Sequence, residues 1–183
     1  MDKYSNIFKN WFPYAAIVTL LCGIIYIVAQ QIYRLSANDP QYQMAQDAAY
    51  YLNDGADPKL LISPFQVELT QNQGPYLIIY NNAGDVVATN AKLNNASPKL
   101  PYGVLENALK NGPQTLTWQP LAGVRMATVT IASNKGYIVA AGRSLKKTEE
   151  RIAILGAQVA LGWMMSLIIL WFVCAIQYRL AKD

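Results

Sequence analysis

No histidine occurs anywhere in the 183 residues, so the side chain most often used near neutral pH as general base, zinc ligand or phospho-acceptor is absent. Histidine-dependent serine and cysteine triads are excluded with it. The two cysteines, Cys22 and Cys174, both fall inside long apolar runs, at different depths if those runs are antiparallel. No disulfide therefore staples the rest of the chain, and cysteine usage leaves the redox compartment open. There is no glycine-rich phosphate loop, no dinucleotide fingerprint and no spaced carboxylate set for calcium. The net charge is +4, and the basic residues are scattered without interleaved aromatics, which speaks against nucleic acid as a partner.

Charge is scarce as well. Charged residues make up 14% of the chain, against roughly 25% in an ordinary soluble domain. The shortage is concentrated in residues 10–33 and 152–178, which carry no charge at all. Each run exceeds the roughly 20 residues needed to cross a bilayer. Between them lies a segment of about 115 residues, the size of one domain. Disorder, a coiled-coil rod and a plain soluble enzyme are disfavoured. The expected plan is a cytoplasmic tail at 1–10, a first span at 11–33, an extracytoplasmic domain at 34–150, a second span at 151–178 and a cytoplasmic tail at 179–183.

The first run also invites reading as a cleaved signal peptide, because Ile27, Val28 and Ala29 precede Gln30. Its apolar stretch is longer than the roughly 7–15 residues of such a core, so an uncleaved anchor is the reading adopted. Leu20, Leu21, Cys22 and Gly23 have the outline of a lipoprotein site, but Leu21 stands where a small residue is needed. Cys22 reads instead as a buried, inert thiol. A long middle segment translocates largely regardless of charge, so the short tails set orientation. Lys3, Lys9, Arg179 and Lys182 put both tails in the cytoplasm. Trp11, Phe12, Tyr14, Trp171 and Tyr178 would form an aromatic belt at the inner interface.

Ala153, Gly156, Ala157 and Ala160 fall at i, i+3, i+4 and i+7, a stripe that permits close helix approach. In the first run the small residues are Ala15, Ala16, Thr19, Cys22 and Gly23. Antiparallel pairing then sets small against bulky: Ile24, Ile25, Tyr26 and Ile27 enter the groove of the second span, and Met165, Ile168 and Ile169 that of the first. The same stripes would suit another membrane protein or a second copy of the chain, with the lipid bilayer covering the remaining faces.

Within the middle segment, Asn38 or Asp39 can cap a helix that has Pro40 in its first turn, apolar positions at Met44, Ala48, Tyr51 and Leu52, and a stop at Asn53, Asp54 and Gly55. A weak strand is predicted over 65–69. Residues 76–80 and 86–89 flank Asn81, Asn82, Ala83, Gly84 and Asp85, which predicts a hairpin. A short helix is expected over 102–110, then strands over 114–119, 124–132 and 137–143, the last two joined by the four residues Ser133 to Gly136. From Ser144 a helix is predicted to run into the second apolar span, with Leu145, Thr148, Ile152, Leu155 and Val159 along one face. The fold class is α+β, with an antiparallel sheet between two transmembrane helices.

This order of helix, two strands, helix and three strands between two spans resembles the single-module PAS-like (Cache-type) extracytoplasmic sensor domain of bacterial membrane receptors. Local stretches resemble the sensor region of two-component sensor histidine kinases: residues 34–41, the hairpin 82–89, residues 101–105, and Gly142 to Leu145 ahead of Glu149, Glu150 and Arg151. The likeness covers about residues 34–155. Such kinases continue after the second span into a phospho-accepting helix and an ATP-binding domain, whereas here only Arg179 to Asp183 follow. The resemblance thus implies a signal handed through the membrane helices to a separate partner, a membrane kinase or other membrane protein, or a domain retained for another use.

The four-residue turn predicts Ala132 opposite Tyr137, Val129 opposite Ala140 and Ala127 opposite Gly142. One face would then narrow to small side chains toward Arg125. The resemblance places small ligands over such a sheet. The candidate site is Arg125 for an anion such as a carboxylate, with Tyr80 or Trp118 as an apolar wall beside the small residues Ala127 and Gly142. The competing reading is a helix packed tightly over the small residues, with Arg125 as an edge charge. No cofactor is implied, and the acidic residues form no recognisable catalytic pair, so enzymatic activity is not expected. Two functions remain: a membrane sensor of a small molecule or stress, and an accessory or scaffold subunit whose outer domain binds another protein.

Overall fold

The computed structural model describes residues 3–181, so Lys182 and the extreme ends of both tails lie outside it. The chain forms two compact units, Arg34–Glu149 and the paired terminal helices.

The helical unit is built from α1 (Lys3–Ser36) and α4 (Lys146–Leu180). Both are long and apolar enough to cross a membrane, and only 6% of the most apolar window of each is buried. A helix this apolar and this exposed is not the core of a water-soluble fold. Trp11 Nε1 donates to the Leu167 carbonyl at 3.0 Å, and its ring meets Trp171 edge-on at 5.8 Å. Trp163 Nε1 donates to Thr19 Oγ1 at 2.9 Å. Tyr26 lies over Gly156, where a Cβ would come within 3.3 Å of its ring. As the number rises along one helix it falls along the other, so the pair is antiparallel.

The filling of the seam differs from the sequence expectation. Ile24, Ile25, Ile27, Met165, Ile168 and Ile169 all point outward, and Tyr26, Trp11 and Trp163 do the filling. The two tryptophans bring area together with an indole N–H that finds a partner on the facing helix, and Tyr26 brings its ring over Gly156. Of the stripe Ala153, Gly156, Ala157 and Ala160, only Gly156 is partly buried; the three alanines are exposed. Ala160 nevertheless lines the groove between the helices with Gly156 and Val159, opposite Thr19, Cys22 and Gly23.

The second unit opens with α2 (Asp39–Asp54), with Asn38 at the N-cap position, Pro40 in the first turn and Gly55 closing the helix at φ 94°. Gly55 suits that left-handed position because it has no Cβ to clash. Asn38 is itself helical and makes no side-chain cap. A 3₁₀ turn (Pro58–Leu61) is capped by Asp57, whose carboxylate accepts from the Lys59 amide at 2.9 Å. The strands are β1 (Val67–Glu68), β2 (Tyr76–Asn81), β3 (Val86–Thr89) and β4 (Ala91–Lys92), then, after α3 (Tyr102–Asn111), β5 (Gln114–Leu121), β6 (Val124–Ala132) and β7 (Tyr137–Ser144). β1 and β4 form a small parallel pair; the others make one antiparallel five-stranded sheet in the order β3-β2-β7-β6-β5. The first hairpin and the last strand therefore lie side by side.

Both faces of the sheet are covered. Ala45, Ala48, Ala49 and Leu52 of α2 pack on Leu77, Ile79, Val129, Val139 and Ala141. Alanines allow the helix to sit close to the strands. Ala48 and Leu52 are buried as the spacing predicts and Met44 packs against them, while Tyr51 faces outward and the buried stripe also takes in Gln41, Ala45 and Ala49. On the other face Tyr76, Ile78, Tyr80, Trp118, Met126, Ile138 and Ala140 pack with Leu105 and Ala108 of α3.

Candidate functional site

The β6–β7 register decides where the sequence-predicted residues fall. Ser133 donates to the Tyr137 carbonyl at 2.7 Å, and Gly136 takes φ 81°. The loop is thus three residues, Asn134, Lys135 and Gly136, with the last left-handed, not the four expected. Ala132 pairs with Ile138, Val129 with Ala141, Thr128 with Gly142 and Ala127 with Arg143. A slip of one residue moves every side chain of one strand to the opposite face. Tyr80, Trp118 and Gly142 lie on the α3 side, Ala127 on the α2 side. The five candidate residues do not line one surface. On β6, Thr128, Thr130 and Met126 are fully buried.

The small residues are covered rather than open. Tyr76 is the cross-strand neighbour of Gly142, and a Cβ at 142 would overlap its ring. The Tyr76 hydroxyl shares a 2.8 Å hydrogen bond with Thr128 Oγ1, and its ring meets Trp118 edge-on at 6.3 Å. The Leu100 amide donates to the Tyr80 hydroxyl at 3.1 Å. Burial pushes the Tyr80 hydroxyl up to about 12, the Leu100 bond opposing it, and burial raises Tyr76 further against the opposing Thr128 bond. Both phenols stay neutral at physiological pH and are anchors of packing, not proton carriers.

Arg125 belongs to a different construction. Its Nη1 lies 2.5 Å from Glu149 Oε1, and its carbonyl accepts from the Leu145 amide at 2.9 Å. The start of β6 thereby holds the chain where β7 ends and α4 begins, by one main-chain bond and one ion pair. About half of each charged side chain is exposed. At the other end of the sheet, Asn53 of α2 accepts from Ser133 Oγ at 2.7 Å and from the Asn134 amide at 2.8 Å, tying the helix to the β6–β7 loop.

An apolar cleft lies elsewhere in this unit, beside α2. The cleft, of about 500 Å³, has Ala48, Val67, Tyr76, Leu77 and Asn90 as its buried floor and Met44 and Leu61 as partly buried walls. Asp47, Tyr51, Ser63 and Phe65 form an exposed rim. Its size and its apolar lining with few polar groups suit a small molecule. Asn90 is committed to structure: its Oδ1 accepts from the Leu77 amide at 2.8 Å and its Nδ2 donates to the Phe65 carbonyl at 3.3 Å. That bridge is what holds the wall segment against β2. Sequence reading missed the cleft because residues 61–67 and 73–75 have no periodicity to flag them; the exposed Phe65, just after Ser63 and Pro64, was the one available signal.

Among the described residues no group of three or more Cys, Asp or Glu side chains converges to hold a metal ion. A scan of protein-family models and a search of curated proteins found no match to this chain.

Proposed function

We propose that this chain is a two-pass membrane protein whose middle unit is a PAS-like, extracytoplasmic sensor of a ligand or membrane stress, and that it signals through its membrane helices to a separate protein. The observation that carries the reading is the junction at Ser144. The last strand of the sheet passes directly into a 35-residue apolar helix, and Arg125 of the neighbouring strand grips the first turn of that helix. A change in the position of β6 against β7 is thus converted into a displacement of α4. The helix, hairpin, helix and three-strand order supports the PAS-like part of the reading. The lysines of the first tail and Arg179 support cytoplasmic tails.

Sidedness and coupling are tested together on the full chain in cells. With Cys22 and Cys174 replaced by serine, a membrane-impermeant thiol reagent is expected to label Gln66→Cys on intact cells and Lys9→Cys only after lysis. Photo-crosslinkers at Ala157 and Ile168 are expected to capture a membrane protein, whose output is lost when residues 158–178 become polyleucine. Labelling of Lys9→Cys on intact cells, or an output indifferent to the polyleucine span, would sink the proposal.

A further inference from the structure

We propose that the cleft beside α2 is a binding site for a small organic cation, an apolar body carrying an ammonium group. This deepens the sensor reading by naming its ligand class and rests on that reading only for what binding would achieve. The floor of Ala48, Val67, Tyr76 and Leu77 offers an apolar bed with no free hydrogen-bonding side chain, since Asn90 is already bridged to the Leu77 amide and the Phe65 carbonyl. One lining residue carries a charge, Asp47, and it is negative. Its carboxylate has no ion-pair or side-chain hydrogen-bond partner among the described residues.

The same rim presents two aromatic rings to solvent, Tyr51 at 53% exposure and Phe65 at 80%. The Tyr51 ring is held in place by an edge-on contact with Tyr50 at 5.8 Å, and a carboxylate and aromatic faces around an apolar pocket are the elements that hold an ammonium ion. An anion would meet Asp47 with no cation lining the cleft to offset it. A neutral apolar ligand would leave the carboxylate partly desolvated and unpaired. A cation resolves both, with its body on the floor and its charge between Asp47 and the rings.

The test uses the full chain in nanodiscs of neutral lipid with methyl-labelled methionine, because Met44 stands on the cleft wall and the other described methionines do not line it. Phenethylammonium is expected to shift the Met44 methyl resonance saturably, and its isosteric anion 3-phenylpropionate to leave it unmoved. Asp47→Asn is expected to weaken the cation by about tenfold, and Phe65→Ala, at an exposed position that does not endanger folding, to weaken it too. Equal response to cation and anion, no Met44 response to either, or full affinity in Asp47→Asn would each overturn the assignment. Any of these leaves the labelling and crosslinking tests of the sensor reading untouched, so the two ideas fail separately.

Discussion

Tyr76 of β2 and Gly142 of β7 face each other across the sheet, and the tyrosine ring occupies the space a side chain at 142 would need. The pair turns a glycine, which weakens a strand by itself, into a packing site for a large ring. Gly142→Ala is expected to destabilise the unit by about 1–3 kcal/mol through overpacking, seen as a lower denaturation midpoint. Tyr76→Phe should cost about 1–3 kcal/mol by stranding the Thr128 hydroxyl. Tyr76→Phe with Thr128→Val should recover part of that loss, because both polar partners are then removed. A double variant no more stable than Tyr76→Phe alone would show that the hydroxyl bond is not what the pair contributes.

The Arg125–Glu149 pair is expected to matter for local order and little for global stability. Exposed pairs contribute about 0–1 kcal/mol, so Arg125→Ala should barely move the denaturation midpoint. Amide exchange at residues 146–150 should nevertheless rise, because the ion pair is a clamp on the first turn of α4. Arg125→Glu with Glu149→Arg should restore protection. Exchange unchanged in Arg125→Ala would mean that the Leu145 bond to the Arg125 carbonyl suffices.

These residues also mark how far the sequence could be read. Turn chemistry located the β2–β3 and β6–β7 hairpins, and Gly55 and Gly112 ended α2 and α3 near where their residue types indicate. The β6–β7 register escaped because Ser133 is equally suited to a four-residue turn and to the strand end that precedes a three-residue loop; only the left-handed Gly136 separates the two. On α2, Ala48 and Leu52 were legible, but Gln41, Ala45 and Ala49 escaped because a glutamine and alanines carry little hydrophobic signal, whereas the exposed Tyr51 carries much. Gly156 was legible as a close-approach point and Tyr26 was among the residues expected to meet it, but that Tyr26 fills the groove while Ile24, Ile25 and Ile27 point away depends on rotation about the axis, which composition does not encode. The cleft was invisible since Asn90, a residue that reads as turn, holds one of its walls through side-chain bonds to the main chain.

Alkaline pH should unfold the sheet unit through its buried phenols. Burial raises Tyr80 from 10.0 to about 12, and raises Tyr76 further. Raised values mean that the folded chain keeps protons the unfolded chain releases, so their contribution is intact below pH 10 and is lost as pH climbs through 12. Tyrosinate absorbance should therefore rise in two stages, the exposed tyrosines first and a late fraction together with loss of circular dichroism. Tyr80→Phe should lower stability at neutral pH by about 1 kcal/mol while moving the alkaline transition upward. A single titration stage without unfolding would refute the assignment of these two phenols.

The contact of Tyr26 with Gly156 sets the rotation of the two apolar helices, and it predicts which cysteines can meet. In a chain with Cys22 and Cys174 replaced by serine, Tyr26→Cys with Gly156→Cys should be joined readily by a short bridging reagent in the membrane. Ile24→Cys with Gly156→Cys should not, since Ile24 points away at 49% exposure. Gly156→Leu should push the helices apart, because even a Cβ at 156 comes within 3.3 Å of the Tyr26 ring. Its readout is loss of the Trp163 bond to Thr19, a contact worth about 0.6 kcal/mol on the scale of interhelical bonds in lipid, seen as a shift in tryptophan emission. Equal cross-linking from positions 24 and 26 would mean that the helices rotate freely, and α4 could then not carry a displacement from the sheet in any fixed direction.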